Sequence, residues 1–187
     1  MSEVTVREAS AADAERITEL IESAYRGAGS RQGWTTEADL LDGQRTDVSA
    51  VGEALGRDDV RLLIATSGQQ SEELLGCCQI ERRSARTAYF GSFAVRPDLQ
   101  NAGLGRVLLA AAESAARGAW QVSAMEMTVI AQRQELIAWY RRRGYELTGE
   151  TRPFPYDDER AGLPRRGDLH FVVLKKEFDG LPPAEGG

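Results

Sequence analysis

A chain of 187 residues, 42% hydrophobic and 28% charged, is long enough for one domain with a substantial core. No run approaches the roughly 18–20 consecutive apolar residues that span a bilayer, and the opening MSEVTVREAS lacks a basic stretch followed by an apolar one, so no membrane association and a cytoplasmic location are expected. The formal net charge of −6 argues against a nucleic-acid partner, whose phosphates need clustered Lys and Arg, and leans toward a cationic substrate.

Residues 3–8, EVTVRE, alternate apolar and polar as a half-buried strand does. In SAADAERITELIESAYRG, Ser10 stands three residues before Asp13, close to a capping box, and Ile17, Leu20, Ile21 and Ala24 share one helical face. GAGSRQGWTTEADLLDGQRTD predicts a glycine-bearing loop that leads into a short helix capped by Thr35 or Thr36. After another short helix near SAVGEALGR, the runs RLLIATS, LLGCCQIERR and TAYFGSFAV predict an antiparallel meander; a Gly-, Ser- and Gln-rich loop over 67–73 and the polar RSAR separate its strands. Cys77 and Cys78 are neighbours on a strand and point to opposite faces, which reads as two small apolar residues rather than a disulfide or zinc pair. From residue 105 to about 117 a helix is predicted to bury Leu104, Val107, Leu108, Ala111, Ala112 and Ala115.

SAMEMTVI sets Met125, Met127 and Val129 against Ala124, Glu126, Thr128 and Ile130, a strand that should pair in parallel with the one before the crossover helix. QRQELIAWYRRRG follows as a helix closed by Gly144; YELTGE and, beyond a proline-rich loop, LHFVVLKKEF are the last strands. The single histidine, His170, reads as a strand residue, and without a Cys or His cluster no metal is expected. The order βααβββαβαββ specifies an α/β (α+β) fold of three layers, a central mixed and mostly antiparallel sheet of about seven strands with helices on both faces. It reads as a single domain over 1–177 with a flexible tail over 178–187.

FAVRPDLQNAGLGRVLL joins a strand end to a helix N-terminus through a proline and a knot of small residues. Unpaired N–H groups gather at such a point, Gly103 and Gly105 can adopt positive φ and let the main chain approach a ligand, and the helix dipole favours negative charge, so a pyrophosphate is the natural guest. The spacing Gln100-x-x-Gly103-x-Gly105 is neither a dinucleotide fingerprint nor a P-loop, which argues against ATP or NAD.

The same stretch resembles the acetyl-CoA signature of the GNAT superfamily of N-acetyltransferases, V-x-P-x-x-[QR]-x-x-G-x-[GA], with Val95, Pro97, Gln100, Gly103 and Gly105 at its positions. IAWYRRRGY likewise resembles that family's tyrosine-bearing helix followed by Gly and an aromatic. The resemblance implies a GNAT-like fold and acetyl-CoA as co-substrate. It implies that the backbone of Phe93, Ala94 and Val95 pairs with the pantetheine arm as an added strand, and that Gln100, Asn101, Ala102, Gly103, Leu104, Gly105 and Arg106 form the pyrophosphate loop. It implies a strand bulge, for which Gly91 and Ser92 are the candidates, and a general-acid role for Tyr140, which could instead simply pack with Trp139 and Tyr145. Arg133 and Leu136 stand where many members have Asn and Ala.

The implied reaction is direct attack of an amine on the thioester in a ternary complex, since one histidine supports no Ser/His/Asp or Cys/His set. Glu37, Glu81, Glu126 or a water relay could take the proton. The acceptor, a small molecule or a peptide amine, is expected near AYRGAGSRQGWTTEADL, with Tyr25, Arg31, Trp34 and Glu37 on one wall and Phe154 and Tyr156 on a second. Glu37 would face the amine and Arg31 an anionic group. An acyl-CoA-binding sensor without turnover is the alternative, and the oligomeric state, a homodimer included, stays open.

Overall fold

The computed structural model describes residues 4–26, 30–31, 36–68 and 73–180. The chain runs through β1 (Val4–Glu8), α1 (Ala14–Tyr25), β2 (Leu41–Asp42), α2 (Val48–Leu55), β3 (Val60–Ser67), β4 (Glu73–Arg82), β5 (Thr87–Val95), α3 (Leu104–Trp120), β6 (Ala124–Ile130), α4 (Gln134–Arg141), β7 (Glu146–Pro153), β8 (Leu163–Pro164) and β9 (His170–Glu177). Seven strands form one sheet in the order β1-β3-β4-β5-β6-β9-β7, and only the β5–β6 pair is parallel, as a helical crossover requires.

The alternation of the strands divides the core between the two faces. Ile64, Cys77 and Ala94 face α1 and α2 and pack with Ile17, Ile21 and Val51. Leu63, Cys78, Ile80 and Phe90 face α3 and α4 and pack with Leu108, Ala112, Ile137 and Tyr140. The adjacent cysteines thus lie in separate halves of the core, both free and buried. Burial pushes the Cys77 thiol up to about 12 and holds Cys78 protonated as well, so both behave as small apolar residues.

Four expectations change. The stripe of α3 is Leu104, Leu108, Leu109, Ala112 and Ala116, and Val107 is 44% exposed. Alanines all around this helix weigh little in setting its rotation, so Leu108 and Leu109 fix which side is buried. A second, two-stranded pairing of β2 with β8 joins the loop after α1 to the loop before β9, too short to announce itself by alternation. Phe178, the first residue of the expected tail, is 9% exposed in the α3 half of the core, with its N–H on the Ser123 carbonyl (2.7 Å). The short helix expected after Thr35 or Thr36 is a single turn over residues 38–40 that runs into β2; Thr35 lies outside the described residues, and Thr36 accepts the Ala38 N–H at 3.1 Å.

Candidate functional site

β5 and β6 pair only through Thr87–Ala124, Ala88–Met125 and Tyr89–Glu126, after which the two parallel strands run on to Val95 and Ile130 without pairing. The register of β5 against β4 also shifts between Cys77–Ala94 and Gln79–Gly91, which leaves Ser92 and Phe93 outside the partner series. Ser92 takes φ 45°, a left-handed backbone that a non-glycine residue rarely adopts, so the bulge proposed at Gly91 and Ser92 lies where the strands part. A bulge bends its strand, and here it accompanies the opening of the sheet.

Two clefts meet at that opening. The first, of about 210 Å³, is lined by Phe93, Val95, Gln100, Asn101, Gly103, Gly105, Arg106, Trp139 and Arg143. Its floor is the loop from β5 to α3. Asn101 and Gly103 hold φ 79° and 83°, whereas Gly105 has already entered the helix. The two glycines therefore serve different needs. Gly103 supplies the turn, while a Cβ on Gly105 would lie 3.1 Å from Phe93 and 3.3 Å from Trp139, in the cleft itself. Gln100 donates to the Val95 carbonyl (3.2 Å) and ties the loop to the strand end. Among the described residues the N–H groups of Gly103, Leu104 and Gly105 have no backbone acceptor, as expected for the first turn of a helix, and with Arg106 and Arg143 they make this end of the cleft electropositive. Arg143 stacks over Trp139 at 3.5 Å from the ring centre and donates to its carbonyl at 2.7 Å. Ala94 and Leu104, expected in this site, have buried side chains in the core and could contribute main chain alone; exposed Ala102 does not line the cleft.

The second cleft, of about 260 Å³, lies between the parted strands and is lined among others by Tyr25, Glu37, Arg45, Gln79, Tyr89, Ser92, Phe93, Thr128, Arg133, Tyr140 and Phe171. Phe93 is common to both clefts, and Trp139 and Tyr140, adjacent on α4, face one each. The Tyr140 ring is 4% exposed, edge-on to Trp139 (5.1 Å), Phe90 (6.3 Å) and Tyr145 (6.0 Å). Burial, reinforced by Tyr25, raises its hydroxyl well above the ordinary tyrosine value, so it stays protonated and can only give a proton at neutral pH. Tyr25, the last residue of α1, donates its hydroxyl to the Phe93 carbonyl and so braces the bulge from the other layer.

Glu37 is 6% exposed and sits among three guanidinium groups, with Arg26 at 2.8 Å, Arg133 at 3.0 Å and Arg45 at 3.8 Å. Burial alone would raise its carboxyl, but Arg133, Arg45 and Arg26 together hold it below the ordinary glutamate value. It is a structural anion, poorly disposed to accept a proton. Glu81 pairs with Arg57 and Arg83, Glu126 lies 3.7 Å from Arg152, and neither lines either cleft. Arg31 forms an exposed pair with Asp39 and lines neither cleft, and Trp34 lies outside the described residues. Phe154 is buried and stacks on Phe171 (5.7 Å), while Tyr156 donates to the Arg166 carbonyl; the cleft wall from this side is Phe171. Arg45, Arg143 and Phe171 carried no signal in the sequence. Arg133 did, as the cation where many relatives of this pattern have Asn.

The model of the acetyltransferase (GNAT) family matches residues 15–145. Proteins with curated descriptions gave no match. Among solved structures, the fold is shared with a GNAT family acetyltransferase from Elizabethkingia anophelis with acetyl-CoA bound (TM-score 0.61, 16% identity, 94% of this chain and 98% of that one). It is also shared with IAA acetyltransferase from Bacillus cereus (TM-score 0.63, 17% identity, 94% and 100%) and with spermidine/spermine N-acetyltransferase SpeG from Vibrio cholerae (TM-score 0.66, 13% identity, 94% and 92%).

Proposed function

We propose a direct acetyl transfer from acetyl-CoA to a primary amine, and its premise is that the chain belongs to the acetyltransferase (GNAT) family. The observation that carries the reading is the parting of β5 from β6, which exposes strand edge beyond Tyr89 and joins two clefts at Phe93. The pantetheine arm lies along the main chain of Phe93–Val95 as an added strand, and the pyrophosphate rests on the loop at Gly103–Arg106 with Arg143 beside it. Arg143 matches an anion well, since its guanidinium is already oriented by Trp139.

The acceptor enters the second cleft as a neutral amine and attacks the thioester carbonyl. A C–N bond forms, the C–S bond breaks, and the thiolate takes a proton from the Tyr140 hydroxyl. The extra proton on nitrogen leaves through water held between the Tyr89–Thr128 hydroxyl pair (2.7 Å apart), Ser92 and Gln79, and returns Tyr140 to its starting state. With Glu37 locked by arginines, and Glu81 and Glu126 paired with arginines and outside the lining, the water relay is the proton route the lining residues support. Rate then derives from holding the amine and thioester together and from the acid.

Calorimetry with acetyl-CoA and a free-thiol assay over an amine panel test this. Acetyl-CoA should bind, and CoA should appear only when an amine is present. Tight binding with no thiol released by any amine would replace the transferase with an acyl-CoA sensor.

A further inference from the structure

We propose that the acceptor is a small amine that also carries a carboxylate, held by the guanidinium groups of Arg45 and Arg133 in the second cleft. The inference rests on the transfer reading above and names its substrate class. Three cations, Arg26, Arg45 and Arg133, converge on the single carboxylate of Glu37, the only acid among the described residues that line this cleft. Glu37 commits Oε2 to Arg26 and Oε1 to Arg133, which leaves Arg45 at 3.8 Å, beyond hydrogen-bond distance. The Arg45 guanidinium makes no hydrogen bond among the described residues, yet its backbone N–H is fixed by Glu22 (2.6 Å) and its side chain lies over the Tyr25 ring (5.6 Å). Arg133 lies over the same ring at 5.5 Å, so both cations belong to one wall.

Among the described residues that line it, this wall carries Arg45 and Arg133 against the one carboxylate of Glu37, and a second carboxylate is the group that would complete it. A guanidinium offers paired N–H donors that match a carboxylate or similar anion. The field also serves the chemistry: a positive wall disfavours the ammonium form of a bound amine, and only the neutral amine can attack. The overall charge of −6 points the other way, toward cations, but charges elsewhere on the surface are screened beyond about 8–10 Å at ordinary ionic strength, so the local wall decides. Arg31, expected from the sequence to hold the anion, is replaced in that role by Arg45 and Arg133.

The test is the free-thiol assay with acetyl-CoA and a panel of α-amino acids, each beside its amide and its decarboxylated amine, with spermidine as a polycation. The acids should exceed their amides and amines by about 10-fold or more in kcat/KM, the scale of a charge-assisted contact, and spermidine should be poor. Arg45→Gln should bring the acid-to-amide ratio close to one while calorimetry shows wild-type affinity for acetyl-CoA, and Arg45→Lys should restore part of the ratio. Equal or better turnover of amides, amines or spermidine by the wild-type protein would overturn the proposal, as would an unchanged ratio in Arg45→Gln. If no amine releases thiol, the transfer reading fails by itself, and calorimetry on CoA-loaded protein decides this one: binding of the acids but not the amides supports it, and the reverse rejects it.

Discussion

Tyr140 and Asp13 show how much of this protein depends on where one side chain is placed. Tyr140 has a cleft on one side and Phe90, Trp139 and Tyr145 on the others, so removing its hydroxyl removes no packing. Tyr140→Phe should lower kcat by about 10²–10⁴-fold where chemistry limits the rate, with acetyl-CoA affinity unchanged, because the acid acts only as charge builds on sulfur. Wild-type kcat across pH in steady-state kinetics would return Tyr140 to a packing role. Asp13 illustrates a purely structural charge. A two-pronged hydrogen bond from Arg7 (2.9 and 3.0 Å), with help from the Ser10 N–H, holds its carboxyl down at about 2. Its stabilisation is therefore complete above the ordinary aspartate value near 4 and fades as pH falls through about 2. Asp13→Asn should cost about 1–2 kcal/mol at pH 7, allowing for the partial exposure of Arg7, and the gap between variant and wild type in urea melts should close as the pH is taken from 4 toward 2.

The loop from β5 into α3 is the element on which the proposed cofactor binding depends, and its two glycines separate fold from function. Gly105 is helical and its Cβ would project into the first cleft against Phe93 and Trp139. Gly105→Val should therefore weaken acetyl-CoA binding at least 10-fold by calorimetry while the circular dichroism spectrum and melting behaviour stay close to wild type, since the lost space belongs to the ligand and not to the core. An unchanged affinity would remove the first cleft as the cofactor site. This element was readable in advance because its chemistry is local: a strand ends, a chain reversal needs φ above zero at Gly103, and a helix begins within ten residues. The face of α3 was readable in Leu104, Leu108 and Ala112, but its exact rotation, which buries Leu109 and leaves Val107 exposed, was not, because its alanines fit either side and contact with β3, β4 and β5 selects one.

At the scale of the molecule, Glu37 joins segments that the chain keeps far apart. Its partners follow α1, follow β2 and precede α4, and Arg133 is 96 residues away. Glu37→Gln would remove the carboxylate charge that three buried or half-buried guanidinium groups share. We expect a loss of about 3 kcal/mol, read as a fall of roughly 6–12 °C in the midpoint of thermal unfolding for a chain this size. A midpoint within a degree or two of wild type would mean that the three arginines are solvated and the cleft is wetter than its burial implies.

The sequence by itself determined the order of the main strands and helices and the parallel β5–β6 pair, because periodicity and a crossover helix are written in neighbouring residues, while the proposed cofactor loop and Tyr140 were read from the family resemblance. Tertiary structure alone decided the second cleft, where we place the acceptor. It took Glu37 from the expected partner of an amine and made it the anchor of Arg26, Arg45 and Arg133, and it moved Arg31, Phe154 and Tyr156 off the cleft. Charge complementarity between residues tens of positions apart leaves no periodic trace along the chain. Their mutual distances, and therefore the sign of the field that an acceptor meets, exist only once the sheet has brought the segments together.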